Sequence, residues 1–283
     1  MKTRHLLALL LAVGLLLPQF VAAQEEQEEE AQAQPITWVS FVQAQPGKGD
    51  ALSKLIAEAG AKIYDKLMAD GHALSWGVAQ PVNHWPDDNW SHAEWVTFKD
   101  WEGVNQFVQA FIGAQMAKSE EQRAAEQAEW LEHVVPGSHF DAVNRHLVVG
   151  EPGKVERPWY INLGFYKAKP GQSGEVKKVY EKYAAPVMKK LQADGAVGGY
   201  GLYTSEIHGD HSWSHVAWYF MPGLGARDAV RKGFDAAEAA RSEEENKALQ
   251  EKFEGAFEAG SHSDRILLIT HLGGYKAPEG GGE

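Results

Sequence analysis

Trp90-Ser91-His92-Ala93-Glu94-Trp95 returns later in the chain as Trp213-Ser214-His215-Val216-Ala217-Trp218. Its flanks return with it. Ala69-Asp70-Gly71 recurs as Ala193-Asp194-Gly195, Pro46-Gly47 as Pro170-Gly171, and Gly137-Ser138-His139 as Gly260-Ser261-His262. The offset is 124 residues for the two segments before the tryptophan motif, and 123 for the motif and the segment after it. One loop deletion reconciles the two values. A constant offset held over most of a chain marks a duplicated unit.

Each copy reads as strand, helix, strand, strand, helix, strand. In the first, Trp38, Val39, Phe41 and Val42 form an apolar run that stops at Pro46-Gly47, and Asp50 is placed to cap the helix that follows. Leu52, Leu55, Ile56, Ala59, Ile63 and Leu67 recur at helical intervals, and Gly71 ends that helix. Strands are expected at Ala73 to Gln80, Trp90 to Phe98 and Ala142 to Val149. Helical segments are expected from Trp101 to about Lys118 and from Glu120 to His133. In the second copy the stripe is Val176, Val179, Tyr180, Tyr183, Val187 and Leu191, with Pro186 expected to kink the helix. Strands at Tyr160 to Tyr166, Val197 to Thr204, Trp213 to Phe220 and Arg265 to His271 complete it, with a helical part from Ala226 to Phe257.

A βαββαβ unit is ferredoxin-like, with a four-stranded antiparallel sheet and its helices on one face. Two such units on one chain can bury their bare sheet faces together. The pattern resembles the dimeric α/β-barrel superfamily, in particular tandem-duplicated relatives of antibiotic-biosynthesis-type monooxygenases and stress-responsive barrel proteins. The resemblance rests on element order, the Pro-Gly turn before the first helix, and the tryptophan-bearing third strand over roughly residues 36–275. It implies an α+β fold with two repeats, 36–150 and 159–275, joined by a linker at 151–158. It also implies that oxygenation chemistry would need no metal or flavin, so no cofactor is expected.

The chain begins with Lys2 and Arg4, an apolar run from Leu6 to Leu17, and Val21-Ala22-Ala23. This reads as a signal peptide over 1–23, cleaved after Ala23, because the run is well short of the roughly 20 residues that span a bilayer. An uncleaved membrane anchor is the alternative. The expected result is an exported protein, periplasmic or secreted, with no membrane segment after cleavage. Residues 24–35 are largely Glu, Gln and Ala, and 276–283 are rich in Gly and Glu. Both read as disordered segments.

Cysteine is absent, which excludes disulfides, thiolate metal sites and cysteine nucleophiles. A formal net charge of −12 argues against nucleic acid as a partner. Ten tryptophans favour contact with a small-molecule ligand or glycan. A homo-oligomeric scaffold is the remaining class.

Side chains alternate across a strand. If Phe41 and Phe165 pack on helices, then Trp38, Trp90, His92 and Glu94 line the seam between the sheets. Asn162, Trp213 and His215 do so in the second copy, and Trp76 and Tyr200 correspond on the second strands. The functional reading takes His92 and His215 as proton-transfer groups, with Glu94 raising the basicity of His92. Trp38, Trp76, Trp90, Asn162, Tyr200 and Trp213 would contact substrate. The structural reading has both histidines hydrogen-bonding across the sheet interface and fixing its register. His208, His211 and His215 lack the spacing of a helical zinc motif, so no metal is expected. Gly137-Ser138-His139 and its copy read as helix ends, and Gly198-Gly199 as a bulge or close strand approach.

Overall fold

A computed structural model describes residues 34–83, 89–150, 158–207 and 212–273. The expected signal peptide, nearly all of the spacer, most of the linker, the C-terminal tail, and His84, His208 and His211 lie outside the described residues.

The first repeat runs β1 (Ile36–Val42), α1 (Gly49–Ala69), β2 (Ala73–Pro81), β3 (His92–Phe98), α2 (Trp101–Met116), α3 (Glu120–His133) and β4 (Phe140–Val149). The second runs β5 (Tyr160–Tyr166), α4 (Ser173–Val179), a π-helical turn (Tyr180–Ala184), α5 (Ala185–Ala193), β6 (Tyr200–Ser205), β7 (His215–Met221), α6 (Ala226–Ala239), α7 (Glu243–Ala256) and β8 (Ser263–Leu272). The strands close into one antiparallel barrel in the order β1-β3-β2-β8-β5-β7-β6-β4. Each repeat supplies four adjacent strands. The two sheets meet along their edges, β2 on β8 and β4 on β6, rather than only face to face. Their bare faces become the wall of one interior.

The local chemistry explains where the elements stop. At the end of α1, the His72 N–H reaches the Leu67 carbonyl at 2.8 Å and the Gly71 N–H reaches that of Met68 at 3.1 Å, with Gly71 at φ 78°. This is a Schellman closure, and the left-handed residue is the expected glycine. Asp50 sits in the first turn of α1 without capping it, and the N-cap Lys48 makes no side-chain cap. The helix start is instead set by the turn Gln45-Pro46-Gly47-Lys48, closed by Lys48 N–H on the Gln45 carbonyl at 3.0 Å. Gly137 ends no helix. It occupies the positive-φ position of a turn in which the Ser138 N–H bonds the Val135 carbonyl at 3.2 Å.

Pro186, expected to kink its helix, is accommodated by a change of hydrogen-bond register. It lacks the N–H that an α-helix would direct at the carbonyl four residues back. The ladder shifts to a π register just before it, with the Ala185 N–H on the Tyr180 carbonyl. The buried stripe of α1 is rotated from the expected one: Leu52, Ser53, Ile56, Gly60, Tyr64 and Leu67 face inward. That brings a glycine and a tyrosine hydroxyl over the sheet.

The barrel interior is filled. Val39, Phe41, Trp90, Ala93 and Trp95 meet Ile161, Leu163, Phe165, Val216 and Trp218 in one cluster. The large indoles fit because glycines lie opposite them. A Cβ on Gly77 would come within 2.4 Å of Trp95 Cη2, and one on Gly201 within 2.7 Å of Trp218 Nε1. The two glycines are equivalent by the repeat offset, as are the two tryptophans. The close approach therefore falls at Gly201 rather than at Gly198-Gly199. Gly77→Ala and Gly201→Ala should each lower stability by about 1–3 kcal/mol through overpacking. A chemical-denaturation series checks this, and unchanged midpoints would contradict the packing described.

One part of the interior is polar. Thr37 Oγ1 lies 2.9 Å from Thr97 Oγ1 and 2.6 Å from His146 Nε2, and all three residues face inward. The His146 ring stands edge-on to Tyr203 at 5.1 Å and to Trp218 at 6.0 Å. In the second repeat, Thr37, Thr97 and His146 are replaced by Ile161, Phe220 and Ile269. Only the first repeat carries this chain.

Candidate functional site

The alternation along β3 groups its side chains as expected, but the two sides are reversed. Ala93 and Trp95 line the barrel interior, while His92, Glu94, Val96 and Phe98 turn toward the helices. Phe41 and Phe165 pack inside the barrel, not on helices. Both faces of this sheet are covered by apolar structure, so alternation shows which residues share a side without showing which side it is. Trp90 differs for another reason. It precedes β3, beyond a bend at Ser91, and so escapes the strand alternation.

The proposed site residues consequently divide into three places. Trp90 and Trp213 are in the barrel, against Phe41 at 5.0 Å and Phe165 at 5.4 Å. Trp38, Trp76, His92 and Glu94 are on the helix side of the first repeat. Asn162, Tyr200 and His215 are on the helix side of the second.

His92 and His215 act as latches. Ser91 Oγ accepts the Ala44 N–H at 2.7 Å and lies 2.9 Å from His92 Nδ1, and His92 Nε2 lies 2.9 Å from the Gly49 carbonyl. In the second repeat, Ser214 Oγ accepts the Ala168 N–H at 2.8 Å and lies 2.9 Å from His215 Nδ1, while His215 Nε2 meets Ser173 Oγ at 2.9 Å. The repeated Ser-His pair thus ties the start of the third strand to the turn before the first helix. Burial lowers the pKa of His92, and it lowers that of His215 to about 4. Both rings are neutral near pH 7. Glu94 is not among the charges acting on His92, for which Asp50 is the acidic neighbour.

Glu94 has its own surroundings. It pairs with Ser40 across β1, and Ser40 pairs with Asp141 across β4, so the three side chains form a row on one face. The Tyr64 hydroxyl bonds to Glu94 from α1, and Gly60 passes directly above. Burial beneath the helix pushes the Glu94 carboxyl up to about 7, with Asp141 adding to the rise and Tyr64 and His139 opposing it. Asp141 goes the other way. Partial burial opposes its ionisation, but hydrogen bonds from His139, Ser40 and Trp38 hold it below the ordinary carboxylate range. Ser40 Oγ donates to Asp141 at 2.5 Å, and His139 Nε2 lies 3.2 Å away. The hydrogen bond to Asp141 in turn raises His139. Two neighbouring carboxyls driven in opposite directions make an acid–base pair with distinct protonation states at neutrality.

Aromatic rings pack around the row. Trp38 meets Phe107 of α2 edge-on at 5.7 Å, and Tyr64 lies 5.3 Å from Trp76 and 5.6 Å from Phe107. Trp76 is fully buried and fixed by its Nε1–H on Asp65 at 2.7 Å. It is a packed backing, not a contact surface. Trp38, Ser40, Glu94, Asp141 and His139 are accessible to different degrees, and they define the approach.

Tyr64, His139 and Asp141 were not among the residues expected at a site. The second and third carry a legible signal, because Gly-Ser-His-x-Asp recurs intact at 137–141 and 260–264. In the second repeat the cluster is different: Asn162 donates to Asp264 at 3.3 Å, His262 lies 3.5 Å from Asp264, and the Tyr166 ring stacks on His262 at 4.5 Å. Ala217 and Met188 stand where Glu94 and Tyr64 stand in the first. Only the first repeat has the carboxyl pair. Among the described residues, no group of three or more His, Cys, Asp or Glu side chains is arranged to hold a metal ion.

No protein-family model matches the sequence, and no curated protein matches it. Solved structures do. A protein assigned as a monooxygenase from Lactobacillus acidophilus NCFM superposes with a TM-score of 0.55 at 12% identity, covering 84% of this chain and 95% of that one. A second protein so assigned, from Fusobacterium nucleatum, gives 0.54 at 9% identity, over 85% and 94%. An anthrone oxidase-like protein gives 0.51 at 15% identity, over 86% and 93%. This chain has the dimeric α/β-barrel fold. At these identities the likeness is one of fold, and within that fold both halves of the barrel are supplied by one polypeptide. Among the described residues of this α/β barrel, no helix is long and apolar enough to cross a membrane.

Proposed function

We propose that the first repeat is an oxygenase site for a small, flat aromatic substrate, with Glu94 as the proton acceptor. The observation that carries this reading is the half-buried Glu94 carboxyl, raised to about 7 beside an Asp141 held ionised. A base poised near the working pH removes protons most effectively. The names borne by the neighbouring structures, monooxygenase and anthrone oxidase-like, point to the same chemistry. The substrate is an aromatic compound with an activated methylene, lodged against Trp38. Glu94 takes one methylene proton, and the resulting carbanion reduces dioxygen. One oxygen atom stays on carbon as a carbonyl, and the other leaves as water with the two hydrogens of the methylene. His139 and Asp141, at the approach, stand beside Glu94 as it returns that proton to the departing oxygen. The basic start, apolar run and small residues of 1–23 support action outside the cytoplasm.

An oxygen electrode tests the reading. Purified protein given anthrone should consume dioxygen in a one-to-one ratio with quinone formed. Absence of protein-dependent uptake with anthrone and related activated methylenes would overturn it.

A further inference from the structure

A cavity of about 370 Å³ opens beside the His92 latch, bounded by Gln43, Gln45, Gln80, Pro81, Trp90 and His92. Its size falls within the range of small-molecule sites. None of the described residues lining it is a lysine, arginine, aspartate or glutamate, on a chain with a formal charge of −12. The lining is nevertheless polar. Gln80 directs its amide NH₂ to Ser53 Oγ at 2.7 Å, with His92 Nε2 3.0 Å away, which leaves its Oε1 as the group for a ligand, and Gln45 directs its own NH₂ to the Val134 carbonyl at 3.3 Å. Each amide is thereby oriented by the fold. Trp90 is nearly buried against Phe41 and lines the cavity.

The second repeat abandons this chemistry. Gln43, Gln45 and Gly49 become Lys167, Lys169 and Ser173. Lys167 pairs with Glu258 at 3.2 Å, Lys169 bonds the Glu254 carbonyl at 2.6 Å, and Ser173 meets His215. Among the described residues, a lining of primary amides without a charged side chain is thus found in the first repeat and not at the equivalent positions of the second. Amides present a donor and an acceptor on one planar group, which matches a hydroxyl that is also both. A charged ligand would meet no opposite charge among the described lining residues to offset its lost hydration.

We infer that this cavity binds a neutral polyhydroxyl ligand, a mono- or disaccharide, whose hydroxyls pair with the glutamine amides and whose C–H face lies against Trp90. The site is separate from the Glu94 row and does not depend on the oxygenase reading. Full-length protein is titrated with glucose, N-acetylglucosamine, maltose and cellobiose by calorimetry and saturation-transfer NMR, with glucose 6-phosphate as a charged control. At least one neutral sugar should bind, and the phosphate should bind more weakly. Gly49→Ser installs the residue of the second repeat, and a Cβ there meets only His92 Cε1 at an ordinary 3.8 Å. It should narrow the cavity and weaken binding at least about tenfold with unchanged melting. Gln43→Ala should weaken binding similarly and provides a second reading if Gly49→Ser folds poorly. Absence of binding by all four sugars, or equal affinity in both variants, overturns the assignment.

Discussion

Glu94→Gln is expected to stop turnover while making the folded protein more stable above neutral pH. Removing a positioned base costs about 10²–10⁴ in rate, and glutamine can still accept the Tyr64 hydroxyl. The stability effect follows from the same burial. The folded pKa of about 7 lies above the ordinary 4.5, so between those values the folded state holds more proton than the unfolded chain. The favourable contribution is complete below pH 4.5 and is lost as pH rises to 7. Ionising the buried carboxyl thus costs on the order of 3 kcal/mol by pH 8. Glutamine cannot ionise and avoids that cost. Denaturant titrations at pH 4.5 and 8 should show the variant gaining on the wild type as pH rises. Parallel pH profiles would mean that Glu94 is ordinary and would remove the basis of the proposed chemistry.

His146 should produce the opposite dependence. Burial in the barrel lowers its pKa to about 4 from 6.5. Below pH 6.5 the unfolded chain takes up a proton that the folded state refuses until about pH 4. Stability is therefore fully present above pH 6.5 and falls with acidification through that window, by on the order of 3 kcal/mol. His146→Gln retains a group that can hydrogen-bond Thr37 and cannot acquire this charge. It should lose less stability than the wild type between pH 7 and 4. His215 and Glu94 titrate in both proteins, so the difference between them isolates His146. Equal acid sensitivity in the two would contradict a neutral, enclosed imidazole.

The duplication was legible because it imposes the same buried positions at a fixed offset, and packing constrains those positions most. Val176 and Leu191 are buried where Leu52 and Leu67 are. The direction of the sheet was not legible. In a barrel wrapped by helices, Phe41 and Trp76 occupy opposite faces, and each is enclosed by apolar neighbours. Hydrophobicity does not distinguish an inner wall from an outer one. Glu94 was singled out as a candidate, but its partners were taken from its own strand. Tyr64 and Asp141 reach it from a helix and from a strand 47 residues further on, a proximity created only by folding. The His92 latch was hidden similarly, since its receptor is a backbone carbonyl at Gly49.

The edge pairings of β2 with β8 and β4 with β6 have a consequence for how such a chain arose and fails. Either half made alone would carry two raw margins of unpaired amides and an oily concave surface. It would be compelled to find a twin, or else to aggregate. Fusion removed that dependence on concentration. With the twin permanently tethered, the two copies need not match, and only the first carries Glu94 and Tyr64.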